Sequence, residues 1–201
     1  MVDKLDLFFD DVIRNYPAAT QDLLRRMYYE DNGIVIQEDL LKEGTQAYWE
    51  GDREGEEITY RMVVDERIAK CPILLRMNKL HEIAGHIGQF HQAVSQAGVD
   101  DVLQEHGNGQ FRVFMEQSVT LNEKMLLHAI PESIMDEDLS SLGEPDRTTI
   151  KWDITDRKHL SVDDYVRLKH RSTEGNLPND AKHSVFLCRP DVRAFMQDVI
   201  Y

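Results

Sequence analysis

The chain predicts an α+β fold, a mostly helical single domain carrying a small β-sheet, and three observations lead there. Apolar residues recur at helical spacing over much of its length, one β-branched and aromatic run reads as a strand, and no tract is polar or Pro/Gly-rich enough for a long linker. A length of 201 residues with 41% hydrophobic content suits one packed domain.

Taken in order, Leu5, Leu7, Phe8 and Val12, then Leu23, Leu24, Met27 and Tyr28, mark amphipathic helices over 3–14 and 18–30, parted by Asn15-Tyr16-Pro17. Asp31-Asn32-Gly33 signals a turn and Ile34-Val35-Ile36 a short strand; a helix over 38–49 then leads into an acidic loop at 52–57. Residues 58–64, Ile-Thr-Tyr-Arg-Met-Val-Val, carry strong strand propensity. Pro72 opens a helix marked by Ile73, Met77, Leu80, Ala84, Ile87 and Val94 that stops at Gly98. After a turn at His106-Gly107-Asn108-Gly109, a helix marked by Phe111, Phe114, Met115, Val119, Met125 and Leu126 ends at Pro131 and packs antiparallel to the previous one. An acidic connection over 132–147 precedes a strand at 149–154, a helix at 161–170 with a Ser161-x-x-Asp164 start, a strand at 184–187, and a last helix opened by Pro190 and Asp191.

Acids outnumber bases 37 to 23, a formal net charge of −14 that repels phosphate backbones and anionic membranes. Direct nucleic-acid and membrane partners are therefore not expected. The acidic runs at 52–57 and 136–138 read as solvated loops, and they leave room for a protein partner that binds an acidic surface. Cys71 and Cys188 form no C-x-x-C pair and read as buried thiols of a reducing compartment. With no apolar run of transmembrane length and acids among residues 3–6, the expected location is the cytoplasm.

The chemistry concentrates in Leu80-His81-Glu82-Ile83-Ala84-Gly85-His86-Ile87-Gly88-Gln89. Zinc takes neutral imidazole nitrogens, and a carboxylate beside the first histidine can deprotonate a metal-bound water that attacks a carbonyl. The familiar arrangement spaces the histidines four apart on one helical face. Here they are five apart, and at ~100° per residue an α-helix would splay them by about 140°. A π-bulge restores the angle to roughly 40°, and Gly85 is a permissive place for one. Chance supplies such a triplet roughly 0.025 times in a chain of this composition. The competing reading is a pair of hydrogen-bonded or surface histidines on a core helix.

A catalytic zinc needs a third ligand and an open position. Glu116, in Met115-Glu116-Gln117-Ser118-Val119, lies on the next helix and is the first choice; Glu123 is the reserve, or hydrogen-bonds a ligand histidine. His91 sits further along the motif helix, and Tyr165, His159 and His183 are available as oxyanion donors with no spacing rule to choose among them.

His81-Glu82-Ile83-Ala84-Gly85-His86 resembles the H-E-x-x-G-H segment of the dipeptidyl peptidase III family. Residues 116–123 are similar in pattern to the downstream ligand helix of tubulin tyrosine carboxypeptidase-like proteins. Both are glutamate-type zinc peptidases, and the match spans about 45 residues of a chain smaller than either. The resemblance implies a zinc-bound water mechanism on a zincin-like helix pair, with His81, His86 and Glu116 as Zn²⁺ ligands and Glu82 as general base; it does not supply a substrate, and a peptide or protein is one candidate. A substrate strand could add to the edge of the strand at 58–64.

Other enzyme classes lack their marks: there is no Glu-x-x-His pair for a di-iron bundle, no adjacent His-Asp, no phosphate loop and no Gly-x-Ser-x-Gly. The alternative from a different class is a non-enzymatic acidic protein: an adaptor, an inhibitor, a viral accessory factor or a nucleic-acid mimic.

Overall fold

The structure, a computed structural model, describes residues 2–41, 45–54, 57–98, 102 and 126–159. It is α+β: helices and a small mixed sheet, whose buried apolar side chains form one core. Helix α1 (Val2–Ile13) and helix α2 (Ala18–Glu30) form an antiparallel corner at Asn15-Tyr16-Pro17, as their apolar spacing predicts. Phe9 of α1 stacks on Tyr28 of α2 with ring centroids 3.9 Å apart. Strand β1 (Ile34–Asp39) follows the turn at Gly33, whose φ of 85° suits glycine.

Strands β2 (Ala47–Glu54) and β3 (Glu57–Asp65) form a hairpin, and β1 pairs with the far side of β3 in parallel, giving the order β1-β3-β2. Three expectations are overturned here. Of the helix expected over 38–49, residues 38–39 end β1 and 47–49 begin β2, because Ala47 and Trp49 turn toward the core while Tyr48 faces out, a period of two that the ladder with β3 fixes; 42–44 lie outside the described residues. Residues 52–54 and 57 continue that ladder, so the acidic stretch is mostly paired strand rather than loop. The strand at 58–64 is present but central, with partners on both sides, so it offers no edge to a peptide.

A short 3₁₀ turn (Ile68–Lys70) leads to helix α3 (Pro72–Lys79), then to a π-helical segment (Leu80–Ile87) and helix α4 (Gly88–Ala97), which Gly98 stops with a φ of 88°. Helices α5 (Glu132–Asp138) and α6 (Asp146–His159) complete the described elements, with a 3₁₀ turn at Leu139–Ser141 between them. The acidic connection expected at 132–147 is thus partly helical. Asp138 is not solvated but buried, because its carboxylate accepts hydrogen bonds from the Ile73 and Leu74 amides, 3.0 and 3.1 Å away, at the start of α3. The strand expected at 149–154 is the middle of α6. Ile150 and Ile154 are buried four residues apart and Trp152 between them is exposed, the helical period winning over β-branched propensity.

Helical residues 126–129 stop before Pro131, as expected. The turn at 106–109, most of the helix before Pro131 and its antiparallel packing, and everything assigned beyond residue 159 lie outside the described residues. Among the described residues no helix is long and apolar enough to cross a membrane. Cys71 is buried as expected, and burial pushes its thiol pKa up.

Asp138 caps the helix that carries the histidine motif, and its replacement tests that role. Asp138→Ala would leave two buried amides at the start of α3 without their acceptor, at about 1–3 kcal/mol. Urea unfolding should show this as a lower midpoint with an unchanged slope.

Candidate metal centre

The motif helix begins with Pro72 at its first turn, where a missing N–H costs nothing, and runs straight into the π segment. The register change is explicit in the hydrogen bonds. In an α-helix the Gly88 N–H would donate to the Ala84 carbonyl; here it donates to Ile83, five residues back, with a second bond to Gly85. The Tyr16 hydroxyl, from the α1–α2 corner, donates to the Ala84 carbonyl at 2.8 Å. Helices α1 and α2 and strand β2 all pack against this segment.

The widened turn brings the two imidazoles together. The Nε2 atoms of His81 and His86 are 3.2 Å apart and the rings meet at 60°, with centroids separated by 5.0 Å. Glu82 Oε1 lies 3.9 Å from His81 Nε2. One ligand atom from each of the three residues falls within 4.8 Å of the others, and all three residues are buried. A charged carboxylate in such a place requires nearby positive charge or hydrogen-bond donors.

The donor set fits a metal ion on size as well as chemistry. With Zn–N bonds of about 2.0–2.1 Å, a tetrahedral ion holds two nitrogens about 3.3 Å apart, against the observed 3.2 Å. His81, Glu82 and His86 could therefore hold a metal ion, with two imidazole nitrogens and a carboxylate oxygen as donors.

Of the residues singled out in the sequence, His81, Glu82 and His86 converge, whereas Glu116, Glu123, Tyr165 and His183 lie outside the described residues. His159 is exposed at the end of α6. His91 is half-buried with its Nδ1 3.0 Å from Thr20 Oγ1 of α2, so it ties α4 to α2; burial lowers its pKa. Sequence reasoning missed Tyr16, whose only local signal is its place before Pro17 in the helix corner.

The chain matches no protein-family model, no curated protein and no solved structure.

Proposed function

We propose that the protein is a zinc-dependent hydrolase of peptide or other amide bonds. The observation that carries this reading is the buried convergence of His81 Nε2 and His86 Nε2 at the spacing of two ligands on one tetrahedral ion, with Glu82 beside them. Zinc, when bound, brings the pKa of a water to about 7 and polarises a carbonyl. The chain's own residues then have separate tasks. His81 and His86 present their Nε2 atoms, and Glu116, outside the described residues, is the proposed third ligand. Glu82 accepts the proton of the attacking water and passes it to the leaving amine. Burial of the carboxylate favours that role, because proton transfer is governed by a few groups rather than by bulk solvent.

Protein purified without added metal should contain about one zinc per chain by elemental analysis. Chelation should lower its melting temperature, since zinc at 1,000 times its dissociation constant adds about 4 kcal/mol to the folded state. Hydrolysis of a peptide library should be lost and regained with the metal. Zinc-free protein with a chelator-insensitive melting temperature would reject the proposal.

One observation favours a second reading: 3.2 Å is also the length of an ordinary hydrogen bond between two imidazoles. The triplet would then be a buried polar brace in a non-enzymatic acidic protein that engages a partner through its charge. The same zinc measurement separates the two.

A further inference from the structure

We propose that the corner between α1 and α2 is a positioning clamp for the metal centre, with Tyr16 holding the π turn on which the convergence of His81 and His86 depends. The inference rests on the reading that these histidines hold a metal, and adds a positioning residue 65 places before the first of them. Three observations carry it. The Gly88 N–H has moved from the Ala84 carbonyl to that of Ile83, and the Tyr16 hydroxyl donates to the Ala84 carbonyl. The tyrosine ring lies close against Gly88: a Cβ built there would fall 2.8 Å from Tyr16 Cζ and 2.9 Å from Cε2. Real Cβ contacts are not that short, so a side chain at position 88 would push the ring away. Finally, the corner is itself fixed, because Gln21 Nε2 donates to the Tyr16 carbonyl at 2.8 Å and Tyr16 is buried.

The consequence follows from satisfying backbone groups. A buried carbonyl needs a donor, and without the Tyr16 hydroxyl the readiest one is the Gly88 N–H. Returning that N–H to Ala84 starts to rewind the π segment from its C-terminal end, and once the rewinding reaches the turn between the histidines it swings His86 away from His81 by about 100°. Tyr16 thus acts through the backbone on the ligand geometry. It has no need to touch the ion.

The test uses cobalt(II) as a spectroscopic probe and zinc affinity by chelator competition, on the full chain. Wild type should take up one cobalt per chain with the visible absorption of a four-coordinate ion, and His81→Ala should abolish uptake. Tyr16→Phe, which keeps the ring and removes only the hydroxyl, should weaken zinc by about 10–100-fold, the range typical of groups that orient ligands, and should alter the cobalt spectrum. Gly88→Ala, which displaces the ring with its hydroxyl while deleting no polar group, should do the same and stands in if Tyr16→Phe fails to fold. Ile150→Val, in the core far along the chain, should leave affinity and spectrum unchanged. If His81→Ala loses the metal while Tyr16→Phe or Gly88→Ala matches wild type in both readouts, the clamp is overturned and the metal reading stands. Wild type that binds neither ion overturns both.

Discussion

Glu82→Gln should retain zinc and lose hydrolysis, with kcat falling by about 10²–10⁴-fold, the contribution expected of a positioned general base. The substitution preserves shape and removes only the capacity to take a proton. Its value lies in separating two roles that the geometry leaves adjacent. Glu82 Oε1 is 3.9 Å from His81 Nε2, close enough for the carboxylate either to bind the same ion or to serve a water beside it. If Glu82 is the base, metal content survives the change and turnover collapses. If it is the third ligand, zinc affinity falls together with turnover, and the base must be sought elsewhere. Parallel measurement of zinc content and kcat on the purified variant distinguishes these outcomes, and unchanged kcat would remove Glu82 from the mechanism.

Arg67→Met should destabilise the fold by about 3–5 kcal/mol, the usual cost of leaving a buried charge without its partner. The Asp65 side chain has no exposed surface, and Arg67 grips it through Nε at 2.8 Å and Nη2 at 2.7 Å while the Arg67 and Leu41 amides add further bonds. Burial by itself would raise the Asp65 pKa, but these donors outweigh it and hold the carboxyl below its ordinary range. The sign follows from that direction. A depressed folded-state pKa stabilises the native protein above the unfolded carboxylate value of about 3.9, and the contribution is lost as pH falls through the lower folded value. In Arg67→Met the remaining burial should push Asp65 upward, so the gap between variant and wild type should be widest near neutrality and narrow on acidification. Urea titrations at several pH values measure this directly; a gap that does not change with pH would show that Arg67 acts by packing alone.

The pair matters for the site because it sits where the sheet hands over to the motif helix. Asp65 ends β3, Arg67 opens the turn before α3, and the same guanidinium reaches Asp146 at the start of α6 at 3.7 Å. With Asp138 on the first amides of α3, two acids and an arginine fix both the direction and the starting point of the helix that carries His81. Further along, Lys79 binds Asp31 and the Tyr28 carbonyl, so the helix is held against α2 just before it widens.

Much of the site was legible in the sequence because its chemistry is local. Two histidines five apart around Glu82 demand a wider turn to meet, and the π segment at Leu80–Ile87 is that turn. The elements most easily read were those whose apolar period is strong and whose ends carry Pro or Gly, such as α1, α2 and the run from Pro72 to Gly98. Two misreadings share a cause. Over 38–49 a helical pattern competes with aromatic residues whose true period is set by pairing with β3, a partner that follows in the chain. Over 149–154 Thr149, Ile150, Trp152 and Ile154 suggest a strand, yet burial of Ile150 and Ile154 on one face decides for helix. Tyr16 shows the same limit at the site: its bond spans 68 positions, and nothing within a window around it announces the contact.

The central claim is that the π turn aims two imidazoles at one ion, and zinc-edge anomalous diffraction from crystals grown with zinc tests it most directly. The account predicts a single strong peak about 2.0–2.1 Å from the Nε2 atoms of both His81 and His86. Rings hydrogen-bonded to each other with no peak between them would contradict it.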